Sequence, residues 1–114
     1  MKFNKLIKNL LVSTLISVAT VNAFAQGKEA FCSSVAQTAE AMQVLNQKQA
    51  PLQRVMDIIN SSDAGENLKK LNRALAMKAY SVPRFGSEEY KQKAIDDFRD
   101  KEHLLCLKAV GNEI

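Results

Sequence analysis

One histidine, His103, and two cysteines, Cys32 and Cys106, are all the imidazole and thiol in the 114 residues. A lone imidazole offers zinc no histidine pair and rules out the H-E-x-x-H pattern of zinc hydrolases. The cysteines are far apart, so no C-x-x-C supplies a resolving thiol and no C-x-x-C-H attaches haem. Haem held by His103 and Met42 is argued against by the helical wheel, where His103 falls far from its segment's apolar stripe and reads as solvent-exposed. A basic surplus is also missing. Lys and Arg number 16 against 12 Asp and Glu, but Lys2, Lys5 and Lys8 supply three of the four extra charges. The remainder carries about +1, too little to hold nucleic acid by neutralising phosphates. No internal repeat occurs, and no strand-length alternation of apolar with polar residues. The doublets Glu88-Glu89 and Asp96-Asp97 are not paired catalytic acids, because adjacent helical residues point about 100° apart. Without convergent acid–base or nucleophilic groups the expectation is no enzyme, no cofactor and no metal.

What is present begins with an address. Met1 to Lys8 is positively charged, and an uncharged, mostly apolar stretch follows from Asn9 to Gly27, densest at Leu10 to Val21. Ala23-Phe24-Ala25 then places small residues where a signal peptidase needs them. Ser13, Thr14, Ser17, Thr20 and Asn22 dilute the run below a membrane anchor of about 20 apolar residues. Cys32 follows Lys28-Glu29-Ala30-Phe31, which is no lipobox. Residues 1–25 therefore read as a cleaved export signal suited to a bacterial periplasm, and residues 26–114 as one periplasmic or secreted domain. No stable membrane insertion is expected after cleavage. In an oxidising compartment Cys32 and Cys106 read as one disulfide. Closing that loop restricts the unfolded chain by about 4 kcal/mol in the chain-entropy model, a large share of a small domain's stability.

Helical periodicity fills the mature chain. Phe31, Val35, Ala39 and Met42 share a face of a first helix over about 29–47, and Asn46-Gln47-Lys48-Gln49 then carries no apolar residue. Pro51 suits the first turn of a second helix. It runs over about 51–60, striped by Leu52, Val55, Met56 and Ile59. Asp63-Ala64-Gly65-Glu66 reads as a variant capping box opening a third helix through Leu68, Leu71, Leu75 and Ala79. Pro83 must end that helix near Val82. Ser87 is a good N-cap for a fourth helix over about 88–110, with Glu88 and Glu89 favourable to its dipole and Gly111 at its end. The expected fold is all-α, a small four-helix bundle or compact helical array closed by one disulfide. In an up-down-up-down bundle the start of the first helix meets the end of the fourth. That is where the cysteines lie.

Three features exceed what such a frame needs. Glu102 falls inside the stripe of Ala94, Phe98, Leu105 and Ala109, so it must meet a cation such as Arg54 or Arg73, or lie at an opening in the core. Leu104 and Leu107 point away from that stripe, to be covered by another helix or to form a dimer or partner surface. Tyr80 and Phe85 flank the Pro83 turn together with Arg84, either plugging the bundle end or forming a binding epitope. Asp96, Asp97 and Asp100, interleaved with Lys93, Arg99 and Lys101, read as a solvated, salt-bridged face.

An early cysteine, A-Y-x-x-P-R-F (Ala79 to Phe85), A-I-x-x-F (Ala94, Ile95, Phe98) and a late cysteine resemble a group of small exported helical proteins of bacteria, phages and prophages. In size, export, helicity and terminal disulfide the chain is more distantly similar to the Rap-type periplasmic immunity proteins that neutralise type VI amidase effectors. With no catalytic inventory, the expectation is a protein-interaction module with a protein partner, in its most concrete form an immunity or exclusion factor occluding an envelope protein. Tyr80, Arg84 and Phe85 are the expected partner-binding residues, with Leu104 and Leu107 as a second surface; a homodimer stays open. The alternative is a small periplasmic chaperone of the acid-stress kind, exposing apolar surface as its carboxylates protonate.

Overall fold

The computed structural model describes residues 27–111, so the segment read as an export signal lies outside the described residues. The chain divides into two units, residues 1–31 and 32–114. Four helices and no strand occur among the described residues: α1 over residues 27–47, α2 Leu52–Ser61, α3 Glu66–Tyr80 and α4 Glu88–Gly111. The fold is all-α, and Cys32 and Cys106 are joined with their Cα atoms 5.5 Å apart.

One apolar cluster holds the helices together. Val35, Ala39 and Met42 of α1 meet Val55 and Ile59 of α2, Leu75, Ala76 and Ala79 of α3, and Phe98 of α4. Ala39, Ala76 and Ala79 are wholly buried. Side chains this small suit close packing of one helix on another. Half-buried Leu45, Leu52, Met56 and Leu71 seal the edges. Phe31 and Leu68, expected on the apolar faces, are exposed. The buried row of α1 starts at Cys32, one residue and about 100° round from Phe31, and Leu68 lies in the first turn of α3.

The helix ends show which local signals decide. α1 closes in a Schellman turn: Ala50 N–H donates to Leu45 O at 2.9 Å, Gln49 N–H to Asn46 O at 3.0 Å, and Gln49 takes φ 65°. Pro51 is the N-cap of α2 rather than its first helical residue, its carbonyl accepting from Arg54 and Val55 N–H. The expected capping box does not form. Gly65 is extended and serves as N-cap of α3, so Glu66 is already the first helical residue and cannot reach back to Asp63. Glycine's poor helix propensity keeps the box residues out of the helix. Ser87 does cap α4, its Oγ accepting from Tyr90 N–H at 3.2 Å.

The inward row of α4 differs from the expected stripe. It steps by four through Ala94, Phe98, Glu102 and half-buried Cys106, while Leu105 and Ala109 are exposed. The disulfide turns Cys106 towards α1 and thereby turns Leu105 outward. His103, three residues before Cys106, is half-buried on that side rather than exposed. The disulfide joins the start of α1 to the end of α4, and the ends of α1 and α3 meet through hydrogen bonds, so successive helices alternate in direction.

Candidate functional site

The last two turns of α1 carry Gln43, Asn46 and Gln47, spaced so that all three share one face. Asn46 and Gln47, expected as the polar end of the helix, are interior: the three side chains are 0%, 1% and 2% exposed. Opposite them α3 ends, and a helix end leaves carbonyls without intrahelical partners. Gln43 Nε2 donates to Ala79 O at 3.0 Å, and Asn46 Nδ2 donates to Ala79 O and Val82 O at 2.9 Å each. Gln47 then grips the following loop. Its Nε2 donates to Pro83 O at 2.9 Å and its Oε1 accepts from Phe85 N–H at 3.0 Å, so one primary amide holds the backbone on both sides of Arg84. Gln43 Oε1 accepts from Gln47 Nε2 at 3.0 Å and lies 2.8 Å from Asn46 Nδ2, whose two hydrogens are shared among three acceptors, tying the three amides together. Arg84 Nε donates to Asn46 Oδ1 at 3.2 Å. No buried side-chain nitrogen or oxygen among the described residues lacks a partner. Hydrogen-bond satisfaction is what makes so polar an interior tolerable.

The residues singled out in the sequence divide into two groups. Tyr80 is half-buried, and its hydroxyl donates to Ala50 O at 2.7 Å, locking the turn after α1 to the end of α3. Burial raises its phenol pKa above the ordinary value, with the Arg84 guanidinium pulling the other way. Tyr80 thus has the structural contact of a plug at this end of the helices. Arg84 and Phe85 face outward; Phe85 is 38% exposed, its ring centroid 6.2 Å from that of Tyr90. Leu104 and Leu107 are exposed on α4, uncovered by any described helix. The amide lattice was the feature missed. Its signal was spacing, since Gln43 and Asn46 continue the phase of Ala39 and Met42.

Beside the loop lies an open groove of about 670 Å³ between the end of α3, residues 81–85 and α4. Val82, Pro83 and Phe85 line it from the loop, and Ala94, Phe98 and Leu105 from α4. Four charges join them: Lys78, Asp97, Lys101 and Glu102. The Glu102 side chain is 6% exposed and pairs with Lys78 Nζ at 3.3 Å. Neither Arg54 nor Arg73 is its partner. Arg73 sits farther up α3, held by Glu66 at 3.0 Å and Asn60 at 2.9 Å, and Lys78 is the cation at the level of Glu102. Glu102 is thus both paired and at an opening. The expected salt-bridged face of α4 is present. Lys93 binds Asp97 at 2.7 Å, a hydrogen bond that raises the lysine's pKa, and Arg99 binds Asp100, Asp96 and Glu40.

Among the described residues no group of His, Cys, Asp or Glu could hold a metal ion, and no helix is long and apolar enough to cross a membrane. Fold and site define a small, disulfide-closed, four-helix protein with a loop fixed from beneath and a groove beside it. No family model, curated protein or solved structure matches the chain.

Proposed function

We propose that this is an exported helical interaction module that binds another polypeptide stoichiometrically through the groove, in its most specific form an immunity or exclusion factor that occludes an envelope protein. The observation that carries this reading is the amide lattice under residues 82–85. A loop held by hydrogen bonds to Val82 O, Pro83 O and Phe85 N–H is ordered before any partner arrives. Such preorganisation removes much of the entropy cost of binding. It also presents an arginine and a phenylalanine, residue types enriched at interfaces, beside an apolar surface. The groove carboxylates Asp97 and Glu102 are each tied to a lysine, which favours recognition over acid–base chemistry. The disulfide suits an oxidising compartment, in keeping with the export signal read from residues 1–25.

The test is photo-crosslinking from position 85 of the exported protein inside the cell that encodes it. One dominant adduct at one-to-one stoichiometry is expected, abolished by Leu105→Glu in the groove and unaffected by Ile58→Glu on exposed α2. A broad set of adducts growing at low pH would identify the acid-stress chaperone instead. A self-adduct alone would make the protein a homodimer and end the proposal.

A further inference from the structure

Resting on the reading of the groove as a polypeptide site, we propose that its occupant is a basic side chain, arginine or lysine, flanked by apolar residues, and that Glu102 selects it. A carboxylate has two oxygens and about four lone-pair directions. Glu102 Oε2 receives one hydrogen bond, from Lys78 Nζ; Oε1 receives none from the described residues. Among the described residues no fully buried side-chain oxygen lacks a partner, so Oε1 keeps its access to solvent, and Glu102 lines the groove. The resident donor is loose. Its 3.3 Å separation is long beside the about 2.7–2.9 Å of strong ammonium–carboxylate bonds. The Lys78 side chain is also 54% exposed, with room to swing into water.

The lining decides what can replace it. Val82, Pro83, Phe98 and Leu105 offer apolar contact on either side of the carboxylate. A purely apolar occupant, such as a lipid tail, would seal Glu102 from water with a vacant oxygen, which is strongly unfavourable. An acidic occupant could meet Lys101 but would face Asp97 and Glu102 as like charges, whereas a basic one meets Lys101 as its like charge once Lys78 swings away. A basic side chain supplies donors to both oxygens, a guanidinium fork best of all, while its neighbours cover the apolar walls. Lys78 is then an internal stand-in that the incoming cation displaces. Selection arises as much from rejecting the wrong occupants as from holding the right one.

The experiment titrates the oxidised protein, purified from the periplasm, with three capped peptides at up to millimolar concentration: Leu-Arg-Phe, Leu-citrulline-Phe and Leu-Glu-Phe. Side-chain NMR signals of Glu102 and Leu105 report binding. The arginine peptide should shift both and bind about tenfold more tightly than either analogue, the order of effect of one charge-assisted contact. Lys78→Met, by removing the competitor, should tighten arginine-peptide binding severalfold, and Glu102→Gln should erase the preference. If Glu102→Gln fails to fold, Lys78→Met and the peptide series still decide. Equal binding of the citrulline peptide, weaker binding by Lys78→Met, preference for the acidic peptide or no binding at all would each overturn the inference. A single crosslinked partner whose captured segment has no basic residue would also overturn it and leave the interaction reading standing. Loss of the partner altogether would remove the interaction reading, independently of the peptide result.

Discussion

Along α1, the stretch through Val35, Ala39 and Met42 and the turns carrying Gln43, Asn46 and Gln47 are both buried, on one continuous face, yet they hold different things in place. The apolar stretch joins a cluster fed by all four helices, and its cohesion scales with area and has no direction. The amide turns contact backbone atoms of residues 79–85 through bonds that require one orientation of each group. The first region gives the domain its stability, and the second gives one loop its shape. The shape of an exposed loop can therefore be set by residues buried beneath it.

The largest effect should come from a change that acts on neither region. Replacing Cys32 and Cys106 together by Ala releases a constraint spanning 74 residues. A loss of about 4 kcal/mol is expected in chemical denaturation, chiefly through the unfolded state. The loop amides should stay the most protected of the exposed positions.

The next pair of variants separates the two regions directly. Met42→Ala should cost about 2–4 kcal/mol by leaving a cavity in the core. Asn46→Leu should cost about 1–3 kcal/mol, because it leaves Val82 O without its side-chain donor and Ala79 O with only the one from Gln43. Only Asn46→Leu should raise hydrogen exchange in the loop beyond what the global loss explains.

Tyr80→Phe should cost about 1 kcal/mol, since it deletes only the bond to Ala50 O. Its pH dependence follows from burial, which holds the folded phenol's pKa above the unfolded value. The folded form thus keeps its proton longer. The contribution is intact below about pH 10, the unfolded value, and is lost as pH rises through the folded one. Denaturation series at alkaline pH should fall less steeply for Tyr80→Phe than for the parent. The smallest effect has the opposite sign. Gln49→Gly should raise the melting temperature, gaining up to about 1 kcal/mol by relieving a left-handed backbone that glycine adopts freely.

What could be read without coordinates was local or stood out as an anomaly. Pro51 and Ser87 mark the starts of α2 and α4 by their own backbone chemistry, so those helix starts were legible to within a residue or so. Glu102 was legible as a misfit in an apolar stripe. Its partner was not, because the choice among Arg54, Arg73 and Lys78 depends on which turn of α3 lies level with it. The buried amides were hidden for a different reason. Hydrophobic patterning counts glutamine and asparagine as outward-facing, and only the unsatisfied end of α3, far along the chain, makes their burial favourable. Tyr80 and Phe85 looked alike in sequence because both are aromatic residues at a turn. The hydroxyl separates them, one finding Ala50 O inside and the other having nothing to donate. Gly65 defeated the capping box, a case of one residue's backbone preference overruling a four-residue pattern.

The amide lattice beneath residues 82–85 holds that loop in one shape in the free protein. The most direct measurement is the exchange rate of the Phe85 backbone N–H, whose acceptor is Gln47 Oε1. That N–H lies in a loop and has no backbone acceptor among the described residues, so its protection reports the bond to Gln47. Slow exchange is expected in the free protein and fast exchange in Gln47→Met, with helix amides still protected. Exchange at the rate of an open loop in the unaltered protein would contradict that expectation.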